Sequence, residues 1–312
     1  MRVFVAGAGG VIGRRLVPML IDRGHEVTGA TRSADRAAQM RESAVEAVVC
    51  DVFDAADLRA KVEAAAPEVI VHELTDIPPA LDPRKMAAQL AGNDRIRDEG
   101  TRNLVAAGLA AGARRMVAQS IAFAYPPTGE GPKTEDDPLF DDAPWPWSRS
   151  VQALHALEDA VTKTDGLEGI VLRYGFFYGP GSSYDSSGHW AREVRRRRFP
   201  IVGGGGGVFS FVHVDDAASA TVAAVEGGPP GIYNIVDDEP APLREWLPVY
   251  ADAVGAKKPR RVPKWIARIL AGRYGLMLAT ELRGASNERA KAELGWTPRY
   301  PSWRQGFRGA LG

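Results

Sequence analysis

The stretch Val3-Phe4-Val5-Ala6-Gly7-Ala8-Gly9-Gly10-Val11-Ile12-Gly13-Arg14-Arg15-Leu16 opens the chain and decides its fold. An apolar run makes a strand, and Ile12, Leu16 and Leu20 then recur at helical spacing. Gly7, Gly10 and Gly13 stand between the two. Glycine there permits a tight turn, lets backbone amides approach a pyrophosphate and brings the helix against the sheet, while the helix N-terminus adds partial positive charge. A strand, such a turn, a helix and a second strand ending at Thr31 predict a dinucleotide site; a Gly-rich turn without a ligand is the plainer alternative.

Working outward, β-branched runs at 3–6, 26–31, 47–50, 68–72, 115–120 and 169–173 alternate with helical stretches. That alternation predicts an α/β protein built of βαβ units around a parallel sheet. Gly24 and Gly112 sit where helices should end. After residue 175 the pattern loosens into a basic run from Arg195 to Arg198, five glycines at 203–207 and a strand-like segment at 209–214, with shorter helical segments beyond Pro240. The glycines suggest either a mobile loop near a substrate mouth or a surface turn. The segments beyond Pro240 read as a small C-terminal lobe, and irregular stretches of this kind commonly carry substrate-specific elements.

The 312 residues carry 39 basic and 39 acidic side chains, so net charge gives no reason to expect a nucleic-acid partner. At 45% hydrophobic and 25% charged the chain is an ordinary globular one. Cys50 is the only cysteine, which excludes a disulfide scaffold. Histidines 25, 72, 155, 189 and 213 show no ligand spacing, so no metal is expected. Without a signal peptide or a long apolar span, no membrane is expected and a cytoplasmic location is the default.

The second strand ends in Gly29-Ala30-Thr31-Arg32-Ser33, with no acidic residue for the ribose hydroxyls of NAD. Arg32 can pair with a 2′-phosphate, which favours NADP over NAD, or it is a solvated loop arginine. Asp51 either accepts from the adenine amino group or caps the helix at 54–65. Thr75 and Asp76 follow the fourth strand, where backbone support for the nicotinamide ribose is expected. The expected cofactor set is Gly7, Gly9, Gly10, Val11, Ile12, Gly13, Thr31, Arg32, Asp51, Val52, Leu74, Thr75 and Ser120.

GxxGxxG at 7–13, GTRNL at 100–104, LRYGFFYGPG at 172–181, VHVDDAA at 212–218, YNIVDDE at 233–239 and ELGWTP at 293–298 together resemble the extended short-chain dehydrogenase/reductases. This family includes nucleotide-sugar epimerases, dehydratases and dihydroflavonol-type reductases. The resemblance implies a Rossmann-type, doubly wound nucleotide domain of residues 1–175 with 209–236 carrying NAD or NADP, a smaller interleaved C-terminal substrate lobe of 176–208 with 237–312, a small-molecule substrate in the cleft between them, and a homodimer. It also implies a tyrosine four residues before a lysine on one helix, with a serine or threonine ending the fifth strand. The ammonium lowers the phenol's pKa so that it can exchange a proton with the substrate oxygen.

Here the chain departs from the pattern. That helix reads SRSVQALHALEDAV, and alignment on Glu158 puts Leu154 in the lysine slot and Ser150 in the tyrosine slot. None of the eight tyrosines has a lysine four residues on. The serine position falls on Ile121, with Ser120 one residue earlier; Arg97 replaces the usual Asn; Phe209 replaces an arginine that holds the diphosphate of sugar nucleotides. An aromatic there suits an apolar substrate better. Candidate catalytic groups are Tyr125, as proton donor or as packing beneath the site, Ser120, and His155, turned about 100° from the lysine slot. Two functions fit: an NADP(H)-dependent reductase of a small non-nucleotide carbonyl compound with a non-standard proton donor, or a non-redox isomerase, cyclase or dinucleotide-sensing protein.

Overall fold

The computed structural model describes residues 1–78, 80–82 and 85–310. Its strands are β1 (Arg2–Ala6), β2 (Glu26–Thr31), β3 (Glu46–Val49), β4 (Val69–His72), β5 (Arg115–Ile121), β6 (Glu168–Tyr174), β7 (Phe176–Tyr178), β8 (Ile201–Val202), β9 (Val208–Phe209), β10 (Phe211–His213), β11 (Gly231–Ile235), β12 (Ala241–Pro242) and β13 (Arg261–Val262). The first helices are α1 (Gly13–Asp22), α2 (Ala34–Glu42), α3 (Ala55–Ala65), α4 (Met86–Arg95), α5 (Thr101–Ala110) and α6 (Trp147–Thr162), with a π-turn at Ile96–Gly100 between α4 and α5. There follow α7 (His189–Arg195), α8 (Val214–Glu226), α9 (Leu243–Ala253), α10 (Lys264–Thr280), α11 (Glu288–Glu293) and α12 (Trp303–Ala310).

Seven strands form one parallel sheet in the order β3-β2-β1-β4-β5-β6-β11. Helices cover both faces, so a strand's alternate side chains are buried on opposite sides. Val3 and Val5 pack with Leu16, Leu20 and Val222 beneath α1 and α8, while Phe4 and Ala6 join Leu58, Leu104 and Leu157 beneath α3, α5 and α6. Chain order reverses between β1 and β4, which stay paired to Ala6 and His72, and connections that leave neighbouring strand ends in opposite directions open a crevice beyond them. Gly24 and Gly112 take φ of 79° and 83°, the left-handed conformation expected just past α1 and α5.

A second apolar cluster is dominated by aromatic side chains: Tyr178, Tyr184, Phe209, Phe211, Trp246, Tyr250, Trp303 and Phe307. It joins α7, α9 and α12 to the short strands β7, β9 and β10. The segment expected as one strand at 209–214 is broken at Ser210, whose hydroxyl accepts from the Ala285 amide (2.8 Å). Val214 belongs to α8, capped by His213, whose Nδ1 accepts from the Asp215 amide. The glycines at 203–207 form a packed turn: a Cβ on Gly207 would meet the Leu278 carbonyl at 2.0 Å. Arg195 reaches the carbonyls of Val254 and Ser186, and Arg197 that of Lys258, so half of the basic run is tied to its own lobe. Leu311 and Gly312, the end of the expected C-terminal lobe, lie outside the described residues.

Candidate functional site

The turn after β1 is built by contact distances that exclude side chains. Gly7 adopts φ +97°, and a Cβ there would meet the Glu73 carbonyl at 2.6 Å. At Gly13 a Cβ would lie 2.3 Å from the Gly7 carbonyl and 2.6 Å from Ala8 Cα. The Gly10 amide donates to the Gly7 carbonyl (2.8 Å), closing the turn. Ile12 N-caps α1 with no side-chain hydrogen bond, so no side chain blocks the amides of that helix start. Glycine at 7, 9, 10 and 13 ahead of an uncapped helix leaves backbone that fits a pyrophosphate.

From this turn a groove of about 380 Å³ runs across the sheet's carboxyl edge, lined by Gly7, Gly9, Gly10, Thr31, Arg32, Ser33, Arg36, Glu73, Leu74 and Thr75. It adjoins an apolar recess between β2 and α3 that includes Ala30, Val52, Phe53, Leu58, Ile96 and Leu104 and shares Thr31, Arg32, Leu74 and Thr75. The recess has the character of an adenine slot. Val11 is exposed, and Ile12 is buried under the turn. Asp51 lines neither space; it is exposed, and its carboxylate accepts from the Phe53 amide (3.0 Å). Capping of α3 falls instead to Asp54, which accepts from the Asp57 amide (3.0 Å).

Sequence reading missed Ser33, Arg36 and Glu73 as lining residues. Ser33 N-caps α2 by accepting from the Arg36 amide (3.3 Å), and that turn of helix returns Arg36 to the groove beside Gly9. Arg32 lies 3.8 Å from Asp76 at the rim, both half exposed. A basic residue three positions after a capping serine was the signal available for Arg36. Glu73 stood out only as an acid within the apolar run VIVHEL. It accepts from the Tyr174 hydroxyl (3.2 Å), its other oxygen has no partner among the described residues, and burial pushes its pKa up to about 8, so it is predominantly protonated at neutral pH. His72, on the opposite face, accepts from the Leu74 amide at Nδ1 and therefore carries its proton on Nε2, facing Thr101 Oγ1 at 3.1 Å. Burial and the charge of Arg97 hold it neutral, with a pKa of about 4.

The three candidate catalytic side chains do not converge on this groove. Ser120 is fully buried and donates to Glu158 Oε1 (2.8 Å). Glu158 is gripped by Arg173 through Nε (2.8 Å) and Nη2 (2.6 Å), and Arg173 Nη1 donates to the Tyr125 hydroxyl (2.8 Å). Tyr125 in turn donates to Asn234 Oδ1 (2.8 Å), and burial pushes its pKa up to about 12. This chain of bonds locks α6 to β5, β6 and β11 and leaves Tyr125 no free proton to offer. His155 sits on the outer side of α6, 2.6 Å from Asp141.

Of the three positions where the resembling family has its proton-transfer groups, two, Ile121 and Leu154, are apolar. Ile121 and Leu154 share a cluster with Met86, Leu90, Trp147, Val151, Tyr274 and Met277. Ser150 is buried and its hydroxyl has no partner. Phe209 stacks toward Phe176 (4.8 Å between centroids), itself stacked on Phe123 (4.3 Å). The seam between the sheet and the C-terminal lobe is therefore aromatic. Among the described residues no group of His, Cys, Asp and Glu could hold a metal, and no helix is long and apolar enough to cross a membrane.

Residues 3–236 match the NAD dependent epimerase/dehydratase family. Over 98% of this chain and 99% of its relative, the sequence is 49% identical to a Streptomyces 3-diazoavenalumate denitrifying reductase. A 2-alkyl-3-oxoalkanoate reductase from Stenotrophomonas maltophilia is 28% identical over 88% of this chain and 81% of that protein. Among solved structures, the UDP-glucose 4-epimerase of Thermotoga maritima superposes with a TM-score of 0.78 at 21% identity, covering 99% of this chain and 97% of the epimerase. The doubly wound parallel sheet, the glycine-rich nucleotide turn and the sequence relatives agree: this chain belongs to the NAD dependent epimerase/dehydratase family, within the extended short-chain dehydrogenase/reductases.

Proposed function

We propose that this protein is an NADP(H)-dependent reductase that replaces a diazo group on an aromatic substrate by hydride, releasing dinitrogen. The observation that carries this reading is the pairing of an intact nucleotide cradle with an apolar lining at the proton-transfer positions, Ile121 and Leu154. Reduction of a carbonyl yields an alkoxide that needs a proton; Tyr125, Ser120 and His155 are committed elsewhere, and Ser150, in the tyrosine slot, has Leu154 where a lysine would lower its pKa. Replacement of a diazonium group needs none: Ar–N2⁺ and H⁻ give Ar–H and N2, with charge and atoms balanced. The 49%-identical relative is named for a reductive, denitrifying reaction on a diazo compound, which supports the same chemistry here.

When bound, the nicotinamide supplies the hydride. Gly7, Gly10 and the start of α1 would hold its pyrophosphate, Val52, Phe53 and Leu74 its adenine, and Arg32, Ser33 and Arg36 a 2′-phosphate. Ile121, Leu154 and the Phe123–Phe176–Phe209 stack exclude water from an electrophile that water would attack. The test is incubation of the protein with NADPH deuterated at the transferable position and a hydroxyarenediazonium. Loss of reduced nicotinamide, evolution of dinitrogen and deuterium on the carbon that bore nitrogen are expected. Deuterium absent from that carbon, or no oxidation of NADPH, overturns the reading.

A further inference from the structure

The reaction so far gives no role to a buried cation. Arg97 lies in the π-turn between α4 and α5 and keeps only 7% of its surface exposed. Among the described residues its guanidinium makes no hydrogen bond, and no carboxylate comes within 4.0 Å. Burial lowers its pKa only to about 10, so it remains charged at neutral pH. Glu158, close enough to be felt, is already taken by both arms of Arg173, and Asp94 offsets the charge only from beyond ion-pair distance. A guanidinium held this way is costly unless an anion completes it.

Other unpartnered donors lie at the same helix junction. Among the described residues Trp147 Nε1 and Ser150 Oγ, on the buried face of α6, and Asn93 Nδ2, on α4, all lack partners. Trp147 stacks on Tyr274 (4.5 Å between centroids), which in turn feels the charge of Arg97. Leu154 supplies an apolar wall. Cation, neutral donors and stacked rings make a receptor for an aromatic anion.

We propose that Arg97 binds an anionic oxygen of the substrate, a carboxylate or a phenolate, with Ser150 and Trp147 as accessory donors. Arg97 is thus a substrate-positioning residue, and the same charge that draws the oxygen repels a diazonium cation, turning that end away. The proposal rests on the aromatic substrate of the proposed function but not on its diazo chemistry.

The test is calorimetric titration of 4-hydroxycinnamate, its methyl ester and 4-methoxycinnamate into the NADP⁺-saturated protein. The hydroxy acid should bind, and Arg97→Met should weaken it by about 20-fold or more, with Arg97→Lys recovering part of the loss. If the carboxylate is the anion, the ester binds weakly and indifferently to Arg97→Met; if the phenolate is, the methoxy acid does. Removing an uncompensated buried cation should also raise the Tm, whereas removing a structural anchor would lower it. Failure of all three probes to bind the parent, or Arg97→Met affinity for the hydroxy acid within about twofold of the parent, overturns the proposal. Arg97-dependent probe binding without diazo turnover would sustain the anion site and sink the reaction; turnover with a KM indifferent to Arg97→Met would do the reverse.

Discussion

The two ends of the crevice are built on different principles. At the nucleotide end the ligand-facing surface is largely backbone: Gly7 and Gly13 are there because a Cβ would strike the Glu73 and Gly7 carbonyls. At the far end the surface is side chain, and Ile121, Ser150 and Leu154 stand on the β5 and α6 framework while carrying none of the expected proton-transfer chemistry. A backbone site tolerates little substitution, whereas a side-chain site can change its chemistry without disturbing the sheet beneath it. Cofactor and reaction can therefore part company within one fold.

The contrast breaks most readily at Gly13. Gly13→Val should abolish measurable NADPH binding, a loss of about 100-fold or more, because the new side chain enters space held by Gly7 and Ala8. Retained affinity in a fluorescence titration would show that the turn is not the pyrophosphate cradle. The next largest effect concerns the ribose end. Arg32→Ala with Arg36→Ala should weaken NADPH by about 10- to 100-fold and leave NADH within about twofold, which competitive titration of the two cofactors will read. An equal loss for both would remove the case for a 2′-phosphate site.

At the reacting end, Tyr125→Phe sharpens the comparison. Its hydroxyl joins Arg173 to Asn234, so the variant should lose about 1–3 kcal/mol of stability in urea unfolding while kcat stays within about twofold. A large fall in kcat with full stability would return Tyr125 to catalysis. The last effect, at Glu73, shows only as pH rises. Its folded pKa is raised from the ordinary 4.5 to about 8, so the folded chain retains a proton that the unfolded chain has lost. This contribution to stability is greatest below pH 4.5 and falls as pH rises from 4.5 to 8. Glu73→Gln should match the parent near pH 4.5 and gain about 6 °C in Tm by pH 8. A constant difference across that range would place Glu73's titration elsewhere.

Much of the nucleotide half was legible because its determinants are local. Apolar runs, glycine spacing and helix-ending glycines act over a few residues, and the first six sheet strands fall within a residue or so of the expected segments. The seventh, β11, escaped notice because it joins the sheet only by pairing with β6, far away in sequence. Asp51 shows the same limit: both of its candidate roles were reasonable until the fold put Asp54 at the helix cap and turned Asp51 outward.

Sequence by itself determined the doubly wound sheet, the glycine turn and the absence of a Tyr–Lys pair, since each depends on residue type and spacing along one segment. Tertiary structure alone decided what the remaining polar groups do. Ser120, Tyr125, Glu158, Arg173 and Asn234 come from four separate segments and become one buried network only when β5, β6, β11 and α6 close together. Arg97 and Glu73 likewise read as ordinary charged residues until burial stripped them of water. A hydrogen-bond partner distant in sequence leaves no periodic trace, and desolvation is a property of the packed whole rather than of any stretch of chain.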